Sequence, residues 1–409
     1  MKEYTKERIR QIAEEAIADG TTAGLNILIR KNGEELFYGE YGYANIEQKE
    51  KIRRDTIFRL YSMSKPITAV AAMILMEQGK LDLGQQVKEI LPGYDKLTVE
   101  KNGKIAAAER PMTVLNLLNM TSGFTYGDDI TAGGRETCAY LAECEKKMFT
   151  EEAVTTLEFA EHMGSIPLAF EPDSSWFYGL SADVLGAVIE KVSGMCFGDF
   201  LEQAVFAPLG MKDTAFWVPE EKQSRLASAY EQVYDGIARS GAEKNGQDNK
   251  QMILYTGNNL VVSNQMKTRP AFESGGAGLV STIDDYARFA QMLLNEGELD
   301  GVRILSQQTV RFLRTGDLTP AQKVKFREWE GLVGFTYNHL LRRMIDPGMA
   351  VGLAKMDEYG WDGWLGCYFA NFPNEQTSIV LMQQKKDSGT IPMTRKIRNV
   401  ILSDEEVFS

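Results

Sequence analysis

Histidine is nearly absent from this chain of 409 residues: there are two, His162 and His339, and neither stands in a recognisable nucleophile context. No Gly-x-Ser-x-Gly elbow occurs either. A serine doing acyl chemistry here could not hand its proton to an imidazole, and Ser-Lys is the known substitute. Cysteine is scarce too. Cys138, Cys144, Cys196 and Cys367 show no Cys-x-x-Cys or zinc-like spacing, and four are too few for a disulfide framework in so long a chain. No Asp/Glu/His cluster has ligand spacing, so neither a metal nor another cofactor is expected. A basic surface is missing as well: a net charge of −12 disfavours nucleic acid and anionic membranes as partners. No apolar run approaches a membrane span. The opening MKEYTKERIRQIAEEAIADG is charged and amphipathic without an apolar h-region, so no secretory signal is expected. Free thiols and no signal point to the cytoplasm.

What is present reads as a soluble globular chain, 44% apolar and 25% charged, long enough to bury a large core. Ile9, Ile12, Ala13, Ala16 and Ile17 recur at helical spacing before Gly20. Two alternating runs flank Asn32-Gly33, a strong hairpin signal. The segment ITAVAAMILMEQG after Ser62 is apolar almost all round and predicts a buried central helix ending at Gly79. Further helices are expected over Met112–Met120, over Glu152–Met163 with Thr150 as N-cap, over Ser181–Gly194 and from about Asp284 to Asn295. Residues 231–259 are polar and poorly periodic, a surface excursion. Strand-like runs return at Leu332–Leu340, Glu358–Phe372 and Thr377–Gln383, with a last helix near Met393–Leu402. The pattern predicts an α/β (α+β) fold: one antiparallel sheet from both ends of the chain and a mainly helical insertion. The sheet unit would take residues 1–80 and 275–409, the insertion 81–274.

Ser62-Met63-Ser64-Lys65 is the one Ser-x-x-Lys in the chain. About one is expected by chance, so the tetrapeptide alone decides little. Its placement adds weight. Residues i and i+3 of a helix share a face, roughly 5–6 Å apart at Cβ, so the lysine can reach the hydroxyl. It can take the proton if burial brings its pKa toward neutrality. Pro66, tolerated only in a first turn, fixes the helix start near Ser62, and the helix dipole would lie beneath a developing oxyanion.

The surrounding text is more specific: FRLYSMSKPITAVAAMILMEQGKLDL (58–83), MTVLNLLNMTSGF (112–124), IPLAFEPDSSWFYGLSADVLGAVIEKVSG (166–194), APLGMKDTAF (207–216), SGGAGLVSTIDDYARFAQMLLNEG (274–297) and YGWDGWLGCYF (359–369). In these blocks the chain resembles the serine β-lactamase and penicillin-binding-protein-like superfamily, in particular its class C and family VIII esterase branch. The resemblance implies a β-lactamase/transpeptidase-like fold, with Ser62 as nucleophile and Lys65 and Tyr178 as the base system. Tyr178-Gly179-Leu180 occupies the place of the family's Tyr-x-Asn. A lysine ammonium beside Tyr178 would lower its pKa, and Tyr178 would shuttle the proton to the leaving group. Leu180 replaces an asparagine that could hydrogen-bond a substrate amide.

Trp361-Asp362-Gly363 replaces the third motif, Lys-Thr-Gly. The lysine that would meet a substrate carboxylate is gone, and Asp362 is expected to make the site less welcoming to anions. Gly363 permits close backbone approach. The amides of Trp364 and Ser62 would then form the oxyanion hole. Trp361, Asp362, Gly363 and Leu180 are the candidate substrate-binding residues. Ser64, Ser122 and the Gly275–Gly278 run read as turn or supporting positions, and the histidines as surface or packing residues. The expected activity is a serine hydrolase of small esters or amides, carboxylesterase-like. A β-lactamase or D-amino-acid peptidase, an acyltransferase, and a non-catalytic penicillin-binding-like sensor are the alternatives.

Overall fold

The computed structural model describes residues 1–234, 237–238, 250–329 and 331–408. Its centre is an eight-stranded sheet in the order Phe335–Asn338, Leu341–Met344, Tyr359–Asp362, Tyr368–Phe372, Thr377–Gln383, Gly24–Lys31, Glu34–Asn45 and Glu50–Lys51. Every neighbouring pair is antiparallel. The two ends of the chain therefore meet where Gly24–Lys31 pairs with Thr377–Gln383. Asn32 and Gly33 both take positive φ, 53° and 82°, as a type I′ turn needs.

Side-chain alternation divides the sheet into two apolar faces. On one, Leu25, Ile27 and Ile29 join Tyr368, Ala370 and Phe372 against the Glu3–Ala18 and Pro392–Leu402 helices. On the other, Leu28, Phe369, Val380 and Met382 join the main core with the Ser64–Glu77 and Ile283–Leu294 helices. Residues 64–75 are buried on every side, as an all-apolar helix requires. Between the two sheet contributions lie the helices Ala132–Lys147, Thr156–Met163 and Ser181–Ser193.

Several boundaries move. The 152–163 helix starts at Thr156, where Thr155 and Glu158 form a reciprocal capping box, so Thr150 is not the cap. The 112–120 helix shortens to Val114–Leu118, capped by Thr113 with Asn116. The 358–372 run splits into two strands around Gly363–Cys367, because Gly366 turns the chain at φ 94°. Of the polar stretch 231–259, residues 235–236 and 239–249 lie outside the described residues. Its ends pair as Tyr230–Tyr234 and Lys250–Leu254. Among the described residues no helix is long and apolar enough to cross a membrane.

One ion pair is sealed between sheet and C-terminal helix. Arg398 holds both oxygens of Glu358 at 2.6 Å, with the two side chains 9% and 1% exposed. Glu358→Ala would leave a buried guanidinium without its counter-charge. We expect a stability loss of about 3–5 kcal/mol, read from the urea midpoint at unchanged m-value.

Candidate active site

The Phe58–Arg59 strand pairs with Val280–Ser281 and delivers the chain to Ser62. Arg59 anchors this entry from inside, donating to the carbonyls of Asn264 and Ala227 and to Gln384 Oε1. Tyr61 then takes φ 45°, a left-handed value that costs an L-residue roughly 1–2 kcal/mol. This kink puts Ser62 in a single 3₁₀ turn, Tyr61–Met63, ahead of the Ser64–Glu77 helix. Strain of this kind persists only where the surroundings enforce it.

Lys65 is fully buried. Its Nζ lies 3.1 Å from Ser62 Oγ, 2.9 Å from Tyr126 OH and 2.8 Å from the Gly276 carbonyl oxygen. Burial pulls the amine from its ordinary 10.5 down to about 7, against the opposing carboxylates of Asp183 and Asp362. Neither carboxylate makes a direct ion pair with it among the described residues, so desolvation wins. Once uncharged, the amine keeps N–H donors for Gly276 and Tyr126 and turns its lone pair to Ser62.

The Gly276 carbonyl is itself held in place. The buried Asp183 accepts from Ser274 Oγ and, at 3.2 Å, from the Gly276 amide. A Cβ on Gly276 would meet Asp183 Oδ2 at 2.6 Å, so only glycine fits. The 275–278 run, read as a plain turn, thus carries a hydrogen-bond acceptor to the lysine. Burial raises the Asp183 carboxyl above its usual range, with Lys65 pulling it back.

Tyr178 stands across Lys65, whose Nζ is 4.6 Å from the ring centroid. The phenol oxygen accepts from Trp361 Nε1 at 2.8 Å. Burial raises this phenol, with Ser62 and Trp361 opposing. This corrects the expectation that the lysine would depress Tyr178. The amine lies over the ring face, and its tyrosine hydrogen bond goes to Tyr126. Tyr126, also raised by burial, is a site residue that the motif blocks missed. The matched text ends at Phe124, two residues short of it, and a lone aromatic carries no spacing signal.

The third motif works through three differently directed residues. Trp361 is 1% exposed and holds Tyr178. Gly363 packs so closely that a Cβ would lie 2.2 Å from the Leu60 carbonyl, the close approach expected of it. The Trp364 ring meets Tyr61 edge-on at 4.9 Å. Among the described residues the amides of Ser62 and Trp364 have no backbone acceptor. Asp362, however, points the other way. It pairs with Tyr368 in register, on the face opposite Trp361, takes the Thr390 hydroxyl, and lies 3.8 Å from Arg342. Its carboxylate is not presented to Ser62, contrary to expectation. Leu180 is corrected as well: at 1% exposure it packs in the main core rather than lining the site.

The remaining candidates are structural. Ser64 Oγ accepts the Leu279 amide, and Ser122 shares a 2.7 Å hydrogen bond with Ser181. His162 stacks on Tyr140 and His339 is buried. Among the described residues no group of three or more His, Cys, Asp or Glu could hold a metal ion.

Known proteins resemble this chain in sequence over two thirds of its length and in fold over nearly all of it. Esterase EstB of Burkholderia gladioli is 29% identical over 290 residues, 69% of this chain and 68% of the relative. The solved structure described as EstCE1, a hydrolase with promiscuous acyltransferase activity, superposes with a TM-score of 0.75 at 25% identity, covering 97% and 98% of the two chains. Simvastatin synthase (LovD) of Aspergillus terreus superposes with a TM-score of 0.76, covering 97% and 98%, but at 19% identity that likeness concerns the fold alone. The family model described as Beta-lactamase runs through residues 9–400. The chain belongs to the Beta-lactamase family.

Proposed function

We propose that the protein is a serine hydrolase that forms an acyl-enzyme on Ser62 and cleaves small esters or amides, a carboxylesterase-type activity. The observation that carries this reading is the fully buried Lys65, brought to about 7 and set 3.1 Å from Ser62 Oγ. At neutral pH its lone pair takes the hydroxyl proton as Oγ attacks the substrate carbonyl. The amides of Ser62 and Trp364 receive the oxyanion. Tyr178, kept as a neutral phenol, protonates the departing alkoxide. The Lys65 ammonium beneath its ring offsets the phenolate charge and returns the proton, so the proton lost by Ser62 ends on the leaving group. Water then attacks the acyl-enzyme by the reverse route and releases the acid.

Esters are favoured over lactams by what surrounds this core. Leu180 and Trp361 offer neither the amide nor the ammonium that a penicillin-type substrate would use. Trp329, 39% exposed, stands edge-on to Tyr178 at 4.8 Å. Such a rim suits apolar acyl or alcohol groups. EstB is named an esterase, which supports the same reading. Transfer of the acyl group to an acceptor alcohol is a second reading, favoured by the description of EstCE1. All four cysteines are free, in keeping with a cytoplasmic working place.

Turnover of p-nitrophenyl butyrate should exceed that of a chromogenic cephalosporin and of a D-alanyl anilide. Ser62→Ala should abolish it, and Tyr178→Phe should lower kcat by about 10²–10⁴. No turnover of any substrate, with no mass shift after a fluorophosphonate probe, would sink the enzyme reading. Cephalosporin turnover above ester turnover would replace the substrate class. Added alcohol acceptors, with product analysis, separate transfer from hydrolysis.

The rate of fluorophosphonate labelling should rise with pH and level off above about 7, as Lys65 loses its proton. Because the Asp183 carboxylate raises Lys65, Asp183→Asn should move that midpoint to lower pH. Asparagine still offers an acceptor to Ser274 and Gly276, so the loop is kept.

Stability follows the same titration. Between about 7 and 10.5 the unfolded chain binds a proton on Lys65 that the native protein does not, so this residue makes stability rise with pH across that window. Below it the full cost is present, roughly 4–5 kcal/mol. Lys65→Met should therefore be more stable than the parent at pH 6, and the gap should shrink by pH 10 in urea titrations.

A further inference from the structure

Behind the strand that carries Trp361, a half-open pocket lies among the 335–344 hairpin, residues 350–353 and the Pro392–Leu402 helix. Its walls are unlike in kind. Leu332 and Phe335 continue into Val351 and Leu353, which are 60% and 49% exposed, so one side is apolar and open. The other side presents Arg342, Arg395 and Arg398.

Only one of these guanidiniums is fully matched. Arg398 is held by Glu358, Tyr368 and the Leu353 carbonyl. Arg395 donates to the Thr390 carbonyl and is half-buried. Arg342 is 3% exposed, yet among the described residues its Nη1 makes no hydrogen bond. Its other terminal nitrogen reaches only the Phe369 carbonyl, at 3.5 Å. Asp362 lies 3.8 Å from Arg342, beyond hydrogen-bond reach, and is taken up by Thr390. The rings of Phe335, Trp361 and Tyr368, 5.0–5.8 Å from the Arg342 Cζ, favour the charge but give Nη1 no oxygen acceptor, and a buried donor without one is costly.

The charges also define the occupant. Three guanidiniums at the pocket stand against two carboxylates, Glu358 and Asp362, one positive charge in excess among the described residues there. A dianion would overshoot that balance and approach Asp362. A carboxylate fits the planar donor fork of arginine and brings one charge. The open apolar wall then asks for a hydrocarbon body behind it. We propose that this pocket binds a small monocarboxylate with an aliphatic chain. The carboxylate sits between Arg342 and Arg395, and the chain lies along Phe335, Val351 and Leu353.

Calorimetric titration of the whole protein with octanoate tests this, with inorganic phosphate at matched ionic strength as the comparison. One octanoate should bind per chain, at least about tenfold more tightly than phosphate. Arg395→Ala and Val351→Asp, on side chains at the rim, should each weaken octanoate at least about tenfold while p-nitrophenyl butyrate turnover stays at the parent level. Arg342→Gln should remove binding. If that variant does not fold, the two rim variants decide. No octanoate binding, binding indifferent to Arg395 and Val351 (as at the Ser62 site), or phosphate binding as tight as octanoate would each overturn the proposal.

Discussion

An amine with no room for water is the constraint on which the site depends. Lys65 lies in the helix 64–77 that the main core surrounds, so its charge has nowhere to be solvated. A carboxylate in direct contact would restore the ammonium and remove the base. The structure gives it instead two neutral acceptors, Tyr126 and the Gly276 carbonyl, besides Ser62 itself. Asp183 is kept one step back, spent on Ser274 and the Gly276 amide. Its charge is close enough to keep the amine from falling further and too far to hold the proton on it. A chain with two histidines thereby acquires an amine near neutral pH from burial set against two carboxylates held at a distance.

The same burial acts in the opposite sense on the phenols. Desolvation disfavours whichever form is charged, so it lowers the lysine and raises Tyr178 and Tyr126. One apolar environment therefore yields a neutral amine and neutral phenols side by side, a proton acceptor and proton donors. Assignments of acid and base follow from titratable groups pushed apart by their surroundings. An ammonium paired with a tyrosinate is therefore not the resting state of this core; in the proposed mechanism that pair exists only while the proton is relayed.

Which parts of this were legible in the sequence follows from the range of the interactions. Ser62 and Lys65 meet because they are three residues apart on one helical turn, and spacing reports that directly. The Asn32-Gly33 turn and the Thr377–Gln383 strand are local patterns of the same kind. Tyr178 and Gly363 needed the collinear motif blocks as a guide. Asp183, the Gly276 carbonyl and Tyr126 had no such guide, since they join Lys65 across 61 to 211 residues of chain. Asp362 shows a second kind of failure. Its neighbours Trp361 and Gly363 both serve the site, yet a strand turns each successive side chain to the opposite face. Leu180 was misplaced for a similar reason: as a core residue it does structural duty at a position where the family motif carries a polar side chain.

The exchange of a third-motif lysine for Trp361 bears on how the phenol is used. An indole N–H can only donate, so the Tyr178 oxygen must accept from it. The phenol's own hydrogen is then left to point away from the indole, free for the Ser62 side or, in the proposed mechanism, for the leaving group. An ammonium in that place would instead favour the phenolate and draw the proton off. Trp361 is in turn fixed by its burial, by Tyr337 edge-on at 5.0 Å and by the tight seat of Gly363 on Leu60. The kinked segment before Ser62 and the strand before Trp364 are thus locked to each other through one glycine. In the proposed mechanism this contact helps to fix the Ser62 hydroxyl and, through Trp361, the Tyr178 phenol relative to each other before substrate arrives.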